Sequence, residues 1–352
     1  MAGTAALVLA PAGAQDGFRV VRAGAVPGPA LRVKRGEEVR VRLVNDLAAP
    51  LSLHWHGVRL PNAMDGVPPL TQKPVAAGES FDYRFVPPDA GTFWYRVPFG
   101  SGPYGALIVE EAEPVDVDRD VALLLDGAPA PDIAVAANER LRLRLINVSA
   151  RFMTVRIDRH PVRVMAIDGQ PAEPFLAREG RITLAPGNRA DLFVDAVLEP
   201  GSSAPVVLND EPLTRLVYEA KPARAARAEP KPLPANPLPA RMDFRGALRV
   251  ELDLSAANDS VPAKPLFSVK RGRTVQLALR SETAASLHIH GHHVRLLDAL
   301  DDGWKPFWLD TILVMPQGVT RVAFVADNVG KWLLHGRKIE NSAQSISWFE
   351  VS

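Results

Sequence analysis

Histidine is the residue type with the clearest chemical pattern in this sequence. The chain has 8 histidines, and all but His160 fall in three short motifs. These motifs are His54-Trp55-His56-Gly57, His288-Ile289-His290-Gly291-His292-His293 and His335-Gly336-Arg337. On a β-strand, side chains at positions i and i+2 point to the same face. Each His-x-His pair can therefore direct two imidazoles at one point, which is how β-structure builds a copper or zinc site.

Cysteine is absent from all 352 residues. Its absence excludes disulfides, iron–sulfur clusters and thiol catalysis, and it removes the thiolate that a blue-copper electron-transfer centre requires. The formal net charge of +1 gives neither the basic footprint of a nucleic-acid-binding protein nor a face for polyanions. We therefore look to a metal ion as the partner, and expect no nucleic acid.

The segments that must position the histidines repeat along the chain. Residues 31–43 (LRVKRGEEVRVRL) parallel residues 267–279 (FSVKRGRTVQLAL), and each copy is followed by a His-x-His-Gly motif. A middle copy at 138–147 alternates leucine with arginine but leads to no histidine pair. Short alternating runs separated by Gly and Pro turns indicate strands of a Greek-key β-sandwich or barrel. The 32 prolines argue against helical bundles.

The repeats divide the chain into three β-domains. We expect domain 1 at residues 16–113, domain 2 at 114–220 and domain 3 at 242–352, with a Pro/Ala-rich connector at 221–241. Residues 1–15 form a short apolar run with Ala-x-Ala-type spacing, which predicts the remnant of an export signal; an Ala-rich leader without structure is the alternative. No segment reaches the length of a membrane-spanning helix. The two histidine pairs can share one site only if domains 1 and 3 touch.

The ordered motifs of this chain resemble those of three-domain multicopper oxidases, the cupredoxin family of laccases and bacterial copper oxidases. The matching segments are His54 to Pro68, Thr71-Gln72, Phe93-Trp94-Tyr95, Tyr104 to Val109, Leu287 to His292, Trp308 to Thr311, Ala326 to Gly330 and Trp332 to His335. The resemblance covers nearly the whole chain. It implies an all-β protein of three cupredoxin-like Greek-key β-sandwich or barrel domains.

The resemblance also implies that the copper machinery is incomplete. The family holds a blue (type 1) copper with His, Cys, His and often Met, but the matching positions here are Ala285, Gly336, Asn341 and Ile346. Its trinuclear cluster uses eight histidines, five of which have counterparts in this chain. His54 and His288 match the type 2 ligands, whereas His56, His290 and His335 match type 3 ligands. Arg96 and Arg337 stand where other type 3 ligands would be, and a guanidinium always carries positive charge.

We predict that one copper ion, or alternatively zinc, binds at His54, His56, His288 and His290, with His335 either a further ligand or a buried remnant. The alternative is a vestigial hydrogen-bonded polar cluster. Arg96 and Arg337 are expected to replace the positive charge of lost coppers, or simply to fill volume and pair with carboxylates such as Asp65. His292 is expected to orient a ligand from behind. His293 is expected to be exposed, and His160 to be a surface or packing residue.

Three functions remain open at this stage. The first is a periplasmic protein with a residual type 2-like copper site between domains 1 and 3, without blue copper and therefore not a laccase. The second is a copper-free scaffold that binds envelope or divisome proteins. The third is an oxidoreductase with a single mononuclear copper, for which the sequence offers no electron donor or substrate pocket.

Overall fold

Short β-strands form almost all of the regular structure, as the sequence predicted. The computed structural model describes residues 6–7, 14–15, 18–221, 223–297 and 307–352. The remaining residues of the predicted export-signal remnant lie outside the described residues. Within the described part, the strands form six sheets, which are two for each of three cupredoxin-like domains.

The amino-terminal third contains the first histidine pair. Its strands are β1 (Ala6–Leu7), β2 (Ala14–Gln15), β3 (Phe18–Arg22), β4 (Leu31–Lys34), β5 (Val39–Val44), β6 (His54–His56), β7 (Ser80–Phe85), β8 (Gly91–Arg96) and β9 (Tyr104–Glu110), with a 3-10 turn at Asn62–Met64. One sheet has the order β2-β3-β5-β7 and the other β4-β9-β8-β6. Gly36, between β4 and β5, has a φ of 90°, which a residue with a side chain rarely adopts.

The middle third contains no histidine pair. Its strands are β10 (Arg119–Leu125), β11 (Ile133–Val135), β12 (Arg140–Asn147), β13 (Met153–Ile157), β14 (Val162–Ile167), β15 (Gln170–Leu176), β16 (Arg181–Leu184), β17 (Arg189–Asp195), β18 (Ser203–Leu208) and β19 (Glu211–Tyr218), with a 3-10 turn at Arg178–Gly180. The sheets have the orders β1-β10-β12-β17-β14-β15 and β11-β19-β18-β13-β16. The amino-terminal strand β1 thus pairs with a strand of the middle third.

The carboxy-terminal third repeats the plan of the first. Its strands are β20 (Leu248–Asp253), β21 (Phe267–Val269), β22 (Thr274–Arg280), β23 (Ala285–Ile289), β24 (Val294–Leu296), β25 (Trp308–Leu309), β26 (Thr311–Val314), β27 (Thr320–Val325), β28 (Gly330–Lys338) and β29 (Gln344–Val351). The sheets have the orders β20-β22-β27-β24-β25 and β21-β29-β28-β23-β26. Gly272 occupies the turn that matches Gly36 and has a φ of 83°.

Packing between the thirds brings the two histidine pairs together. One apolar cluster runs from the first third into the last and includes Trp55, Leu60, Ile289 and Trp332, all buried. The middle third has its own apolar cluster. On β12, leucines face that cluster, whereas the alternate arginines are equally buried and pair with carboxylates at the contact with the first third. No helix among the described residues is long and apolar enough to cross a membrane.

Candidate metal centre

Four histidines meet where β6 of the first third faces β23 of the last. His54 and His56 lie on β6, His288 lies on β23, and His290 follows that strand directly. All four side chains are buried. The Nε2 atoms of His54 and His288 are 3.1 Å apart across the contact. The rings stack in two crossed pairs, with centroids 3.8 Å apart for His54 and His290 and 3.5 Å apart for His56 and His288. We call this set the histidine side of the centre.

Hydrogen bonds set the tautomers of the two histidines that face each other. His54 Nδ1 lies 3.1 Å from the backbone oxygen of Asp65 and 3.2 Å from its carboxylate. His288 Nδ1 lies 3.0 Å from the backbone oxygen of Asp310. Because these oxygens only accept, each Nδ1 carries the proton and donates it. Each facing Nε2 is therefore an unprotonated lone pair.

The other two histidines are oriented in the same manner. His290 Nδ1 donates to the Asp65 carboxylate at 3.0 Å, and His290 Nε2 is buried without a hydrogen-bond partner among the described residues. His56 Nε2 donates to Thr311 Oγ1 at 2.8 Å, and that hydroxyl donates to Asp310 Oδ1 at 2.7 Å. His56 Nδ1 is likewise buried without a partner in the described part of the chain. Each imidazole thus has one nitrogen anchored and one bare.

This arrangement fits a metal cation. One ring nitrogen from each of His54, His288 and His290 lies within 4.8 Å of the other two. Two metal–nitrogen bonds of about 2.0–2.1 Å at a tetrahedral angle separate their nitrogens by about 3.3 Å, close to the 3.1 Å between His54 and His288. Two lone pairs at that distance repel each other unless a cation lies between them. Anchoring the second nitrogen to a carboxylate or carbonyl is also how proteins orient metal-binding histidines.

Burial keeps the imidazoles of His56, His288 and His290 neutral, which is the form that binds metal. Desolvation, followed by the charge of His288, holds the pKa of His56 well below its usual range. Desolvation lowers the pKa of His288 to about 4 and that of His290 well below normal. Burial of Asp65 opposes its ionisation, but His290 and His54 outweigh that effect and hold its pKa below the usual range. His56, His288 and His290 thus supply neutral donors beside a buried carboxylate.

A cationic group lies beside the histidine side. His335 Nδ1 accepts a hydrogen bond from Arg96 Nη2 at 3.1 Å, and His335 Nε2 donates to Gln344 Oε1 at 2.8 Å. Burial, and then the charge of Arg337, lowers the pKa of Arg96 to about 10. Among the described residues, no carboxylate forms an ion pair with Arg96 or Arg337. We call Arg96, His335 and Arg337 the arginine side of the centre.

A second possible metal group is less suited to an ion. It consists of His56, His288 and Asp310. The Asp310 carboxylate is already bound by both terminal nitrogens of Arg189, at 2.8 and 2.5 Å, and that guanidinium is fully buried. Burial and the Asp310 charge raise the pKa of neighbouring Asp168 to about 6. Asp310 therefore serves as a support that neutralises Arg189 and positions Thr311.

The structure separates the residues that the sequence placed together. His54, His56, His288 and His290 converge, whereas His335 lies beside them with both ring nitrogens taken by Arg96 and Gln344. The suggestion that Asp65 pairs with the arginines is wrong, because its carboxylate faces His54 and His290.

The remaining histidines also have defined places. His293 was expected to be exposed, and this is wrong: it is buried against the middle third, with Nε2 3.2 Å from Gln170 Nε2 and 3.5 Å from Asp310. His292 Nδ1 lies 3.2 Å from the backbone oxygen of His290, so it contacts a histidine of the centre through that residue's backbone. His160 packs in the middle third with Nε2 2.5 Å from the Tyr218 hydroxyl.

Sequence reasoning missed the supports that come from other segments. Asp310 and Thr311 were noticed only as part of a family-like run, and Arg189 was not singled out. Arg189 and Asp310 are 121 positions apart, and their pairing depends on how the middle and last thirds dock. In the sequence, the only indication that Asp310 and Thr311 support the histidines was the family-like run Trp308 to Thr311.

Comparison with known proteins identifies the family. Three multicopper oxidase family models match successive parts of the chain, at residues 10–114, 99–203 and 235–341. The chain belongs to the multicopper oxidase family, as its motifs had indicated.

Relatives and solved structures agree with this assignment. The multicopper oxidase MmcO of Mycobacterium tuberculosis is 26% identical over 88% of this chain and 78% of its own length. A crystal structure of a multi-copper oxidase from Pseudomonas thermotolerans is 30% identical, with a TM-score of 0.82 over 92% of this chain and 91% of that chain. The crystal structure of Lac15 from a marine microbial metagenome is 33% identical, with a TM-score of 0.81 over 92% of each chain.

Proposed function

We propose that this multicopper oxidase family member holds a single copper ion at His54, His288 and His290, with His56 as a further donor. The observation that carries the proposal is the 3.1 Å approach of His54 Nε2 to His288 Nε2, in two rings whose Nδ1 atoms face backbone oxygens. Imidazole suits copper and also zinc, so zinc is the competing occupant. A bound copper would supply a one-electron redox centre. The surrounding residues would supply its orientation through Asp65, Thr311 and the backbone of Asp310.

The arginine side limits the centre to one ion in this proposal. His335 has no free nitrogen, and Arg96 donates to it rather than accepting a metal. A guanidinium is charged at all physiological pH values. Arg96 and Arg337 would therefore repel a second or third copper, and they offer no lone pair to hold one.

We further propose that the chain has no type 1 copper. Cysteine is absent from the sequence, so no thiolate ligand exists. Gly336 stands at the family's cysteine position, and a Cβ there would lie 2.9 Å from Leu254 Cδ2 and 3.0 Å from the Ser345 oxygen. Ala285 and Ile346 are buried and carry no donor atom. Without that centre, we expect no laccase turnover, and the function is to bind copper rather than to oxidise phenols.

The proposed place of action is the periplasm. This part rests on the Ala-rich run of residues 1–15 and its Ala-x-Ala-type spacing. Cell fractionation of the tagged full-length protein tests it, with a cytoplasmic marker followed in parallel. Recovery of the protein with the cytoplasmic marker would overturn the location without affecting the metal proposal.

Copper loading of the purified chain tests the metal proposal. After desalting, elemental analysis should give about one copper per chain, with a type 2 EPR signal and no absorption near 600 nm. The same measurement on His54→Ala should give none, whereas His160→Ala, which removes a buried histidine outside the centre, should retain copper. Failure of the wild-type chain to retain copper, without a copper-induced shift of its thermal unfolding, would overturn the proposal and favour a copper-free scaffold. Tighter retention of zinc than copper would reassign the ion.

A further inference from the structure

A cavity of about 370 Å³ opens beside the metal centre. Its wall is formed by all three thirds of the chain, including Arg96 and Tyr104 from the first, Val148 from the middle and Arg337 from the last. The loop residues 100–102 contribute to its rim, where Gly100 and Ser101 are exposed. This volume lies in the range of small-molecule sites, which are mostly apolar with a few polar groups.

Besides His56, His288 and His335, the cavity is lined by residues whose hydrogen-bond donors have no partner in the described part of the chain. The Nε atoms of Arg96 and Arg337 are buried and have no partner among the described residues. The indole Nε1 of Trp94, a residue only 4% exposed that lines the same cavity, is also buried without a partner there. Three residues that each have an unpartnered donor, two of them cationic, therefore line the same cavity.

The wall contains no counter-charge. None of the described residues that line the cavity is an aspartate or a glutamate. Elsewhere in this protein, buried arginines are paired: Arg142 and Arg144 bond to Asp191, and Arg189 bonds to Asp310. Buried charges normally have such partners, because desolvation without compensation is costly. Arg96 donates to His335 Nδ1 and to the Pro98 backbone oxygen, but neither partner is anionic. Two guanidiniums without a counter-charge on a cavity wall are thus suited to a bound anion.

We propose that this cavity binds a small organic dicarboxylate, held by Arg96 and Arg337 with the Trp94 N–H as a third donor. Guanidinium groups match carboxylate oxygens in geometry as well as charge. Two guanidinium charges are neutralised by two carboxylates. The side chains of Val26, Val97 and Val148 form an apolar wall that can contact the carbon chain joining the two carboxylates. An inorganic oxyanion would satisfy the charges but would leave that wall without a contact.

This inference does not rest on the proposed copper function, since the donors belong to the chain itself. The full-length protein is therefore tested after metal removal with EDTA and dialysis. Isothermal titration with succinate should give one site per chain, with an affinity that weakens as salt is raised. Succinamide, which has the same carbon chain without charge, should bind at least tenfold more weakly. Equal binding of the two compounds, or no binding of succinate, would overturn the proposal.

Titration with inorganic phosphate distinguishes a site for an organic carboxylate from a site for any oxyanion. Phosphate should bind more weakly than succinate; binding as tight or tighter would overturn the choice of an organic carboxylate. Arg96→Gln and Arg337→Gln should each lower the affinity for succinate by about tenfold or more, as expected for loss of a charge-assisted hydrogen bond. Trp94→Phe keeps the ring and removes the N–H, so a smaller loss is expected.

A matched control keeps this result specific. Arg40→Gln removes an exposed arginine of the first third that bonds to Glu38 and does not line the cavity. It should leave succinate binding unchanged. Equal losses in Arg40→Gln and Arg337→Gln would mean a general charge effect and would overturn the site. Thermal unfolding of each variant confirms that the chain is folded, and the comparison of succinate with succinamide on the unaltered chain does not depend on any variant.

Discussion

The histidine side and the arginine side occupy one buried space between the first and last thirds, yet they have opposite chemistry. On the histidine side, carboxylate or carbonyl oxygens accept hydrogen bonds from the Nδ1 atoms of His54, His288 and His290. The Nε2 atom of each of these rings is therefore bare. On the arginine side, Arg96 donates to His335, and no carboxylate of the described residues forms an ion pair with either arginine. The position of the carboxylates, rather than the number of histidines, thus decides which side attracts a cation.

The largest difference should appear in copper retention. His288→Ala removes a bare nitrogen from the histidine side, and retained copper should fall from about one per chain to none. His335→Ala changes the arginine side. Both ring nitrogens of His335 already form hydrogen bonds, with Arg96 and Gln344, so this variant should retain about one copper per chain. Elemental analysis after desalting measures both variants. Loss of copper in His335→Ala with retention in His288→Ala would reverse the comparison.

The next largest difference should appear in the free energy of unfolding, when an arginine that pairs with a carboxylate and one that does not are each replaced. Arg189→Gln leaves Asp310 and Asp168 buried without their cation, so the free energy of unfolding should fall by about 3–5 kcal/mol. Arg96→Gln removes a guanidinium that has no carboxylate, so it should change the free energy by less than about 1 kcal/mol, or raise it. Denaturant unfolding of the metal-free proteins compares them. A similar large loss for both would show that the contacts of Arg96 with His335 and Pro98 stabilise the fold as much as a carboxylate pair does.

Asp65 orients two imidazoles of the histidine side at once. Asp65→Asn should lower the affinity for copper by about 10–100-fold, the usual effect of losing a group that orients a metal-binding histidine. The control is Asp89→Asn, which alters a buried carboxylate bonded to Arg59 outside the centre. Competition with a chromophoric chelator gives the affinities. Unchanged affinity in Asp65→Asn would show that the carboxylate does not set the tautomers.

The smallest expected effect concerns pH. Burial, and then the charge of Arg96, holds the pKa of His335 well below its usual value, with His290 and His54 acting in the same direction. The unfolded chain therefore takes up this proton first, so stability is present above about pH 6.5 and is lost as pH falls below it. The loss for one histidine is at most about 1.4 kcal/mol per pH unit.

His335→Gln should reduce that pH dependence in the metal-free protein. Its free energy of unfolding should fall less between pH 6.5 and 5.5 than that of the unaltered chain. Asn341→Gln, an exposed neutral change near the same hairpin, should leave the slope as it is. An identical slope in His335→Gln and the unaltered chain would mean that the pKa of His335 is the same in the folded and unfolded states.

The sequence predicted the parts of this molecule that depend on local periodicity. The His-x-His spacing indicated that His54 and His56, or His288 and His290, share a face, and the repeats indicated three β-domains. What it could not predict depends on docking between thirds. His293 is buried by Gln170 of the middle third, and His335 is occupied by Arg96 of the first. Such contacts are set by how separate sheets pack, which no local spacing records.

Anomalous X-ray scattering at the copper edge, from crystals of the copper-loaded protein, tests the central claim most directly. The account predicts one anomalous peak per chain, bounded by the bare nitrogens of His54, His288 and His290, and no peak between Arg96, His335 and Arg337. Two or more peaks, or a single peak on the arginine side, would contradict it.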